Sequence, residues 1–296
     1  PEVTAWPLTG LPLEDPAAVA NPVVGIKVEN SGPARPWIGL AGADLVFVEM
    51  VEGGVTRFHA VYHSQFPEIV GPVRSLRPMD AAILGQWDGT LLASGGQPQF
   101  IARVESAVGL RTLDRGDVGF YRQSGRRAPH NVMADMTSIV PTLPASTEIL
   151  PIASYGEEPS SLGGAPAVTA HMTYPGTRSV WTFDPESGVY FRTDAGSPSV
   201  DVDGTQMSAK NVLVLRVQTQ NTGALDPGGA PVPETILSGA GELVYFQGGA
   251  VATGTWSKGG DNDPFELTDA EGNPLVLAPG ITWIELLPVQ GSLSWE

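Results

Sequence analysis

The sequence predicts an α+β protein, in which a mixed α/β N-terminal domain is followed by a mainly antiparallel β C-terminal domain. Apolar runs and short helical patterns fill the first half, whereas short β-branched and aromatic runs separated by Gly, Asp and Asn fill the second. A length of 296 residues exceeds the usual size of a single domain. Charge is also uneven: residues 1–150 hold fifteen acids and eleven bases, whereas residues 151–296 hold seventeen acids and five bases.

A stretch rich in Pro, Gly and Ser over residues 141–166 marks the predicted boundary. These residue types favour turns and loops over regular structure. We therefore expect an α/β domain over residues 1–145, a linker over residues 146–166 and an all-β domain over residues 167–296.

The first domain is predicted to combine strands with short helices. An apolar run over residues 23–29 indicates a strand, and β-rich runs over residues 44–51 and 56–63 indicate a hairpin around Glu52-Gly53-Gly54-Val55. Proline early in a helical pattern and Gly-rich turns set the remaining boundaries. These elements are a helix over 78–87, a strand over 90–93, a helix from about 98 to 108 and a short helix over 135–143.

The second domain is predicted from short β-branched and aromatic runs. Two consecutive glycines, Gly248 and Gly249, favour a tight hairpin. Many short strands with regular turn signals favour a small barrel or sandwich. The predicted strands cover residues 168–174, 179–183, 189–193, 212–218, 243–247, 250–256 and 282–287.

Composition excludes several classes of function. A net charge of −16 opposes binding to nucleic acid or to an anionic membrane surface, because long-range repulsion hinders the approach. The absence of Cys excludes disulfides, thiol catalysis and Cys-ligated metal centres. No apolar run approaches the ~20 residues that cross a bilayer. The chain begins at Pro1 rather than Met, so we expect any signal peptide or lipid-anchor segment to lie upstream.

Arginine is concentrated in one part of this acidic chain. Nine of the sixteen basic residues fall between Arg57 and Arg127, and residues 53–130 hold nine arginines against six acids. Because guanidinium is a planar, permanently charged fork, converging arginines predict a pocket for an anionic or polyhydroxylated ligand. The nine are Arg57, Arg74, Arg77, Arg103, Arg111, Arg115, Arg122, Arg126 and Arg127.

Two segments are the main candidates for ligand contact. Arg74 and Arg77 follow a Gly-Pro turn and stand at the entrance of a predicted helix, whose N-terminus adds free N–H groups and partial positive charge. Gly95 and Gly96 form a turn between strand and helix, which can cradle an anion or simply connect the two elements. The alternative for Arg57, Arg74 and Arg77 is pairing with nearby acids.

A basic corner forms the third candidate. Arg127, His130 and Asn131 belong to one extended segment that couples positive charge to an imidazole. His130 is either a ligand-binding or acid/base residue, or a structural histidine bonded to backbone. Glu49 and Glu52 flank the hairpin and are the candidates for catalysis together with His130, unless they serve as charge partners for the arginines. We expect no metal and no cofactor, since neither a ligand triad nor a nucleotide fingerprint is visible.

An ordered set of short motifs runs along nearly the whole chain. The motifs are PLTGL (7–11), NSGPARP (30–36), AD (43–44), VEGGVTR (51–57), GPVRSLR (71–77), APHN (128–131), GTWSK (254–258), DAEG (269–272) and PGITWI (279–284). In this order they resemble the YerB-like bacterial envelope lipoproteins. The resemblance implies a two-domain extracytoplasmic protein, usually anchored through an N-terminal lipidated Cys, and it implies no particular reaction. The chain departs from the family pattern at Ala93 and Gln97, where His and Ser are common.

Three hypotheses follow for the function. We favour a non-catalytic envelope protein, secreted or membrane-anchored, that binds an anionic or glycan ligand of the cell wall through an Arg-rich cleft. The second is a hydrolase acting on a glycan or phosphodiester, with Glu49 or Glu52 and His130. The third is an interaction scaffold for envelope proteins. Membrane attachment is expected only through a lipid anchor that this chain lacks.

Overall fold

The computed structural model describes residues 3–296, and strands dominate it. Strands hold 44% of the residues and helices 14%, so the class is mainly β rather than α+β. The predicted mixed sheet and the antiparallel strands of the second half are confirmed. The predicted helices are shorter than expected, because Gly85 ends the first of them and Pro141 lies in a 3-10 turn that follows the third.

The first half contributes eight strands and all three α-helices. The strands are β1 Val24–Glu29, β2 Leu45–Met50, β3 Thr56–Tyr62, β4 Ile69–Val70, β5 Thr90–Ala93, β6 Gly109–Thr112, β7 Phe120–Arg122 and β8 Val132–Asp135. The helices are α1 Asp80–Leu84, α2 Pro98–Glu105 and α3 Met136–Ile139. Short 3-10 turns cover Pro16–Ala20, Gly32–Ala34, Leu40–Gly42, Glu52–Gly54, Gly85–Trp87, Leu113–Arg115 and Val140–Thr142. Within residues 3–296, each helix is too short or too polar to span a membrane.

The second half consists of strands. The longest of them has 15 residues and pairs with three other strands. The strands are β9 Ser154–Tyr155, β10 Ala165–Pro166, β11 Thr169–Tyr174, β12 Thr177–Asp184, β13 Val189–Asp194, β14 Ser197–Pro198, β15 Ser208–Ala209, β16 Asn211–Leu225, β17 Pro231–Ile236, β18 Gly239–Gln247, β19 Ala250–Lys258, β20 Glu266–Asp269, β21 Val276–Leu277, β22 Thr282–Pro288 and β23 Ser292–Trp295.

One long mixed sheet connects the two halves of the chain. Its main path runs β10-β19-β18-β16-β22-β2-β3-β1-β5-β6, with β22 parallel to both β2 and β16. Strands β1, β5 and β6 are also mutually parallel, whereas β3 is antiparallel to β1 and β2. The strands of the second half therefore do not close into a small barrel of their own, because β22 completes its hydrogen bonds against β2. The boundary at residues 146–166 stays a prediction.

Both faces of this sheet are buried, and each face has its own core. The face formed by Phe47, Val61 and Ile284 packs under α1 and α2. The opposite face, with Val46 and Trp283, packs against a six-stranded sheet in the order β14-β13-β12-β11-β23, in which the sixth strand, β15, also pairs with β13. Burial on both faces explains why these strands are near-continuous apolar runs in the sequence.

A buried arginine holds the two sheets together. Arg192 forms an ion pair with Asp194 at 3.0 Å and a second with Glu285, and its guanidinium lies 5.1 Å from the ring centre of Trp283. All three charged groups are essentially inaccessible to solvent. Buried charges persist when they are paired and hydrogen-bonded, so this cluster acts as a fixed polar joint between the sheets.

The register of β1, β2 and β3 places charged residues on the face covered by α1. Glu29 lies opposite Arg57, and Lys27 lies opposite His59. On the other side of β3, Glu49 also lies opposite Arg57. Because directly opposed residues of antiparallel strands share a face, these five side chains form a charged patch beside α1.

Candidate functional site

The candidate site lies at the carboxyl ends of the parallel strands β1 and β5. The segment 71–77 enters the gap between them: the N–H of Arg74 donates to the carbonyl of Lys27 at 2.8 Å, and the N–H of Ser94 donates to the carbonyl of Arg74 at 3.0 Å. In open sheets with parallel strands, crevices at these carboxyl ends are common ligand sites. The inserted segment fixes Arg74 and Arg77 at the ends of these strands.

Three arginines converge here, and we call Arg57, Arg74 and Arg77 the inner cluster. Nε of Arg77 lies 2.5 Å from one carboxylate oxygen of Glu52, and Nη2 of Arg57 lies 3.6 Å from the other. Nε of Arg74 lies 3.5 Å from Oε2 of Glu29 and has no hydrogen-bond partner among the described residues. Three guanidinium groups therefore share two carboxylates, which leaves positive charge in excess.

Burial and mutual repulsion affect the proton affinity of the inner cluster. Burial, together with the positive charges of Arg77 and Arg74, lowers the pKa of Arg57 to about 9. Burial alone would raise the pKa of Glu52, but the guanidinium groups of Arg77 and Arg57 hold that pKa below its ordinary value.

His130 faces a carboxylate at the edge of the inner cluster. Its Nδ1 lies 2.8 Å from Oε1 of Glu29, which is 4% exposed and also accepts a 2.8 Å hydrogen bond from the hydroxyl of Ser31. A carboxylate on Nδ1 favours the tautomer in which Nδ1 carries the proton and Nε2 is the acceptor. Within residues 3–296 no hydrogen-bond partner is found for Nε2, so it can meet a ligand or a water molecule.

An open cavity of about 710 Å3 adjoins this dyad. Its polar lining comes from His130 and from three arginines, Arg35, Arg126 and Arg127, which we call the outer cluster. None of the described residues that line it is acidic. In a chain with a net charge of −16, this cavity is therefore bordered by four basic side chains.

Two of the outer arginines are held in place by neutral groups. Arg126 donates to the backbone carbonyls of Ala34 at 2.9 Å and Pro36 at 2.6 Å. Arg35 donates to the side-chain oxygen of Asn30 at 3.0 Å and also lies 3.8 Å from the carboxylate of Asp194. Burial lowers the pKa of both arginines. Because carbonyl oxygens carry no net charge, the contacts of Arg126 orient its guanidinium group without neutralising it.

A second charged cluster lies fully buried beneath the site. Nζ of Lys27 forms an ion pair with Glu49 and lies 2.8 Å from Oδ1 of Asp80, which Nδ1 of His59 approaches at 2.7 Å. The other oxygen of Asp80 accepts the backbone N–H of Arg77 at 2.6 Å. This buried quartet of Lys27, Glu49, Asp80 and His59 therefore anchors the backbone of the inner cluster.

The structure brings some of the predicted site residues together and separates others. Glu52 contacts the inner cluster, but Glu49 is fully buried on Lys27, and neither acid lies against His130. Glu29 occupies that position instead. The catalytic pairing of Glu49 or Glu52 with His130 is therefore not the arrangement that the fold presents.

The predicted glycines and Asn131 support the site from behind. The carbonyl of Gly95 accepts the N–H of Leu76 at 3.0 Å, which fixes the segment that carries the inner arginines. Gly95 has φ 153°, and Gly96 packs against the side chain of Leu76. Asn131 is 8% exposed and accepts a hydrogen bond from Arg122 at 2.9 Å. These residues act mainly through positioning.

Sequence reasoning did not include Glu29 and Arg35 among the site residues. Glu29 ends a mostly apolar strand, and Arg35 is the penultimate residue of the NSGPARP segment. The available signal was a charged residue at the carboxyl end of a strand for Glu29 and a charged residue in a Gly-Pro-rich loop for Arg35. The place of Glu29 in the site depends on its contact with His130, which is 101 residues away in sequence.

The protein is mainly β, and a cavity lined by Arg35, Arg126, Arg127 and His130 lies beside the carboxyl end of β1. Two family models match most of its length: "Protein of unknown function (DUF3048) N-terminal domain" over residues 8–148 and the corresponding C-terminal domain over residues 169–284. The chain belongs to this family.

Known relatives agree with this assignment. The chain is 28% identical to the Bacillus subtilis (strain 168) protein named "Putative lipoprotein YerB", over 95% of this chain and 86% of that protein. It also matches the crystal structure of the YerB protein from Bacillus subtilis with a TM-score of 0.84 and 25% identity, covering 98% of this chain and 99% of the other. The resemblance to YerB-like proteins that the sequence motifs indicate is thus confirmed.

Proposed function

We propose that this chain belongs to an extracytoplasmic, envelope-associated protein that binds an anionic ligand in the arginine-lined cleft without chemical turnover. The name of the Bacillus subtilis relative, a putative lipoprotein, supports the location. An anionic group on a cell-wall polymer or glycan would meet both the location and the charge of the site. An envelope protein partner stays a further possibility for the same molecule.

The observation that carries this proposal is the excess of oriented guanidinium groups at the cleft. The inner cluster holds three of them against Glu29 and Glu52, and the adjoining cavity adds three more, of which Arg35 lies 3.8 Å from the carboxylate of Asp194 behind the lining. Guanidinium binds carboxylate or phosphate through two parallel, charge-assisted hydrogen bonds. A buried guanidinium group has lost part of its hydration, and a bound anion replaces the hydrogen bonds to that water.

Overall acidity does not prevent such binding. At physiological ionic strength, charges separated by more than about 8 Å are largely screened, so a ligand inside the cleft experiences mainly the local arginines. The distant acids slow the approach of an anion more than they weaken its final contacts. The proposal therefore requires a site that is shielded from the distant acids and still open to ions in solution. The half-buried side chain of Arg74, which is 23% exposed, meets both requirements.

Titration calorimetry with inorganic phosphate and with citrate tests the proposal. Arg74→Ala is expected to weaken binding at least tenfold, because this side chain has the least compensated guanidinium of the inner cluster. Arg115→Ala is the matched control. Arg115 is surface-exposed, lies away from the cleft and forms an ion pair with Glu105 at 2.5 Å. Equal affinities for the wild type, Arg74→Ala and Arg115→Ala, or no binding by the wild type, would contradict the proposal.

A hydrolase is the second candidate, and the Glu29–His130 pair is the observation that favours it. A carboxylate-oriented imidazole beside an anion-binding cavity can remove a proton from water and return it to a leaving group. Incubation with cell-wall material should then release product, and both His130→Ala and Glu29→Gln should abolish the release. Binding of anions without release of product by the wild type would favour the non-catalytic function.

A further inference from the structure

We infer that the cleft takes a ligand that carries at least two anionic groups, one for the inner cluster and one for the outer cluster. This inference rests on the proposed function, since it specifies the class of ligand for the same site. The chemistry is that of a polymer with repeated phosphate or carboxylate groups, rather than that of a single small anion.

The two clusters are distinct in position but meet at one carboxylate. Oε2 of Glu29 lies 3.5 Å from Nε of Arg74, which belongs to the inner cluster. Oε1 of the same residue lies 2.8 Å from Nδ1 of His130, which lines the outer cavity. Glu29 therefore lies between Arg74 of the inner cluster and His130 on the wall of the cavity that the outer cluster lines.

The arginines of the two clusters are held apart, so one small anion cannot neutralise both. Nη1 of Arg57 donates to the carbonyl of Ser75 at 3.0 Å, and Nη1 of Arg77 donates to the carbonyl of Leu76 at 2.7 Å. In the outer cluster both terminal nitrogens of Arg126 are bound to backbone carbonyls. A guanidinium tied to backbone cannot swing across to a shared ion without losing these hydrogen bonds.

The size of the cavity also exceeds what one inorganic anion requires. A volume of about 710 Å3 lies within the range of roughly 300–1,000 Å3 that pockets for drug-sized ligands occupy. The cavity is open to solvent, and Arg127 on its rim is exposed. An extended polymer can therefore lie in the cavity and continue past it, with one anionic group reaching the inner cluster.

Linking two anionic groups should raise affinity well beyond that of either alone. Once one group is bound, the second meets its cluster at a high effective concentration set by the short linker. If the protein has a single subsite, a ligand with three phosphates can fill it in three ways, and this statistical factor raises the affinity only about threefold. A gain clearly above threefold that is lost in Arg127→Ala therefore distinguishes two subsites from the higher charge of the longer anion.

Calorimetry with orthophosphate, pyrophosphate and tripolyphosphate measures this gain. We expect tripolyphosphate to bind at least thirtyfold more tightly than orthophosphate. Galacturonic acid and a short oligogalacturonate form a parallel series, which shows whether carboxylates on a glycan are preferred to phosphates. A gain of threefold or less in both series overturns the inference, even if orthophosphate binds.

Variants assign the gain to the two clusters. Arg127→Ala is expected to weaken tripolyphosphate at least fivefold more than orthophosphate, whereas Arg115→Ala should change neither. Glu29→Gln should strengthen tripolyphosphate severalfold, because it removes the negative charge between the clusters while its amide oxygen can still accept from His130. Equal losses for both phosphates in Arg127→Ala, or weaker binding by Glu29→Gln, would count against two linked subsites.

These outcomes separate the inference from the proposed function. If no phosphate or carboxylate binds to the wild type, the proposed function fails and the inference fails with it. If single anions bind, and Arg74→Ala abolishes that binding, but chain length adds nothing, the proposed function stands and the inference alone is wrong.

Discussion

Replacing Lys27 with Met should strongly destabilise the protein. Met keeps most of the aliphatic stem but removes the ammonium group that pairs with Glu49 and lies 2.8 Å from Asp80. All three side chains are completely buried. Among the described residues, only His59 then remains within ion-pair distance of Asp80, and burial lowers the pKa of that imidazole.

The expected loss in the free energy of unfolding follows from the buried carboxylates that Lys27→Met leaves without a partner. Removing one partner of a buried ion pair costs about 3–5 kcal/mol, because the other partner stays desolvated without compensation. Typical domains have unfolding free energies of about 5–15 kcal/mol, so Lys27→Met should remove a third or more of the stability. Urea unfolding followed by tryptophan fluorescence measures the change in the free energy of unfolding.

A second variant makes the prediction specific to charge. Lys27→Met combined with Glu49→Gln removes one stranded carboxylate, and we expect it to recover about 1–2 kcal/mol relative to Lys27→Met alone. A loss below 1 kcal/mol in Lys27→Met would refute the reasoning. So would additive losses in the double variant, because they would show that Lys27 and Glu49 do not interact.

Two further predictions concern pH and a glycine. Burial lowers the pKa of His63 from 6.5 to about 4, so the unfolded chain binds more protons between these values and the free energy of unfolding should rise with pH there, by at most about 1.4 kcal/mol per unit. A flat or falling profile from urea unfolding at pH 4 to 6.5 would contradict this sign. Gly95→Ala should destabilise by about 1–3 kcal/mol in the same assay, because φ 153° disfavours any side chain and a Cβ would lie 1.7 Å from Oδ2 of Asp114. Adding Asp114→Ala should restore only part of the loss, and full recovery would show that the backbone at Gly95 carries no strain.

Most strands could be predicted because their signals are local. The apolar run over residues 23–29 and the hairpin around residues 52–55 correspond closely to β1, β2 and β3. The place of β22 within the sheet could not be predicted. This strand runs parallel to both β2 and β16, and its Thr282 lies opposite Leu45 and Asn211. Local hydrophobic periodicity describes which residues are buried, but it carries no information about a partner strand so far along the chain.

The candidate site was predictable only in part for the same reason. A Gly-Pro turn before Arg74 and a hairpin before Arg57 indicated basic residues near one crevice. Glu29 was not recognised because its partners belong to segments that only the folded sheet brings near it. The charge of Lys27 inside an apolar run was a usable signal, since a buried lysine requires a buried acid.

The most direct test of anion binding is a crystal structure of this protein grown with sulfate. We predict density for a sulfate ion in contact with Arg74 and at least one other arginine of the inner cluster, where it stands in for the phosphate or carboxylate of the physiological ligand. Crystals of Arg74→Ala under the same conditions should lack that density. Wild-type crystals with sulfate bound elsewhere, and only water between Arg57, Arg74 and Arg77, would contradict the central claim.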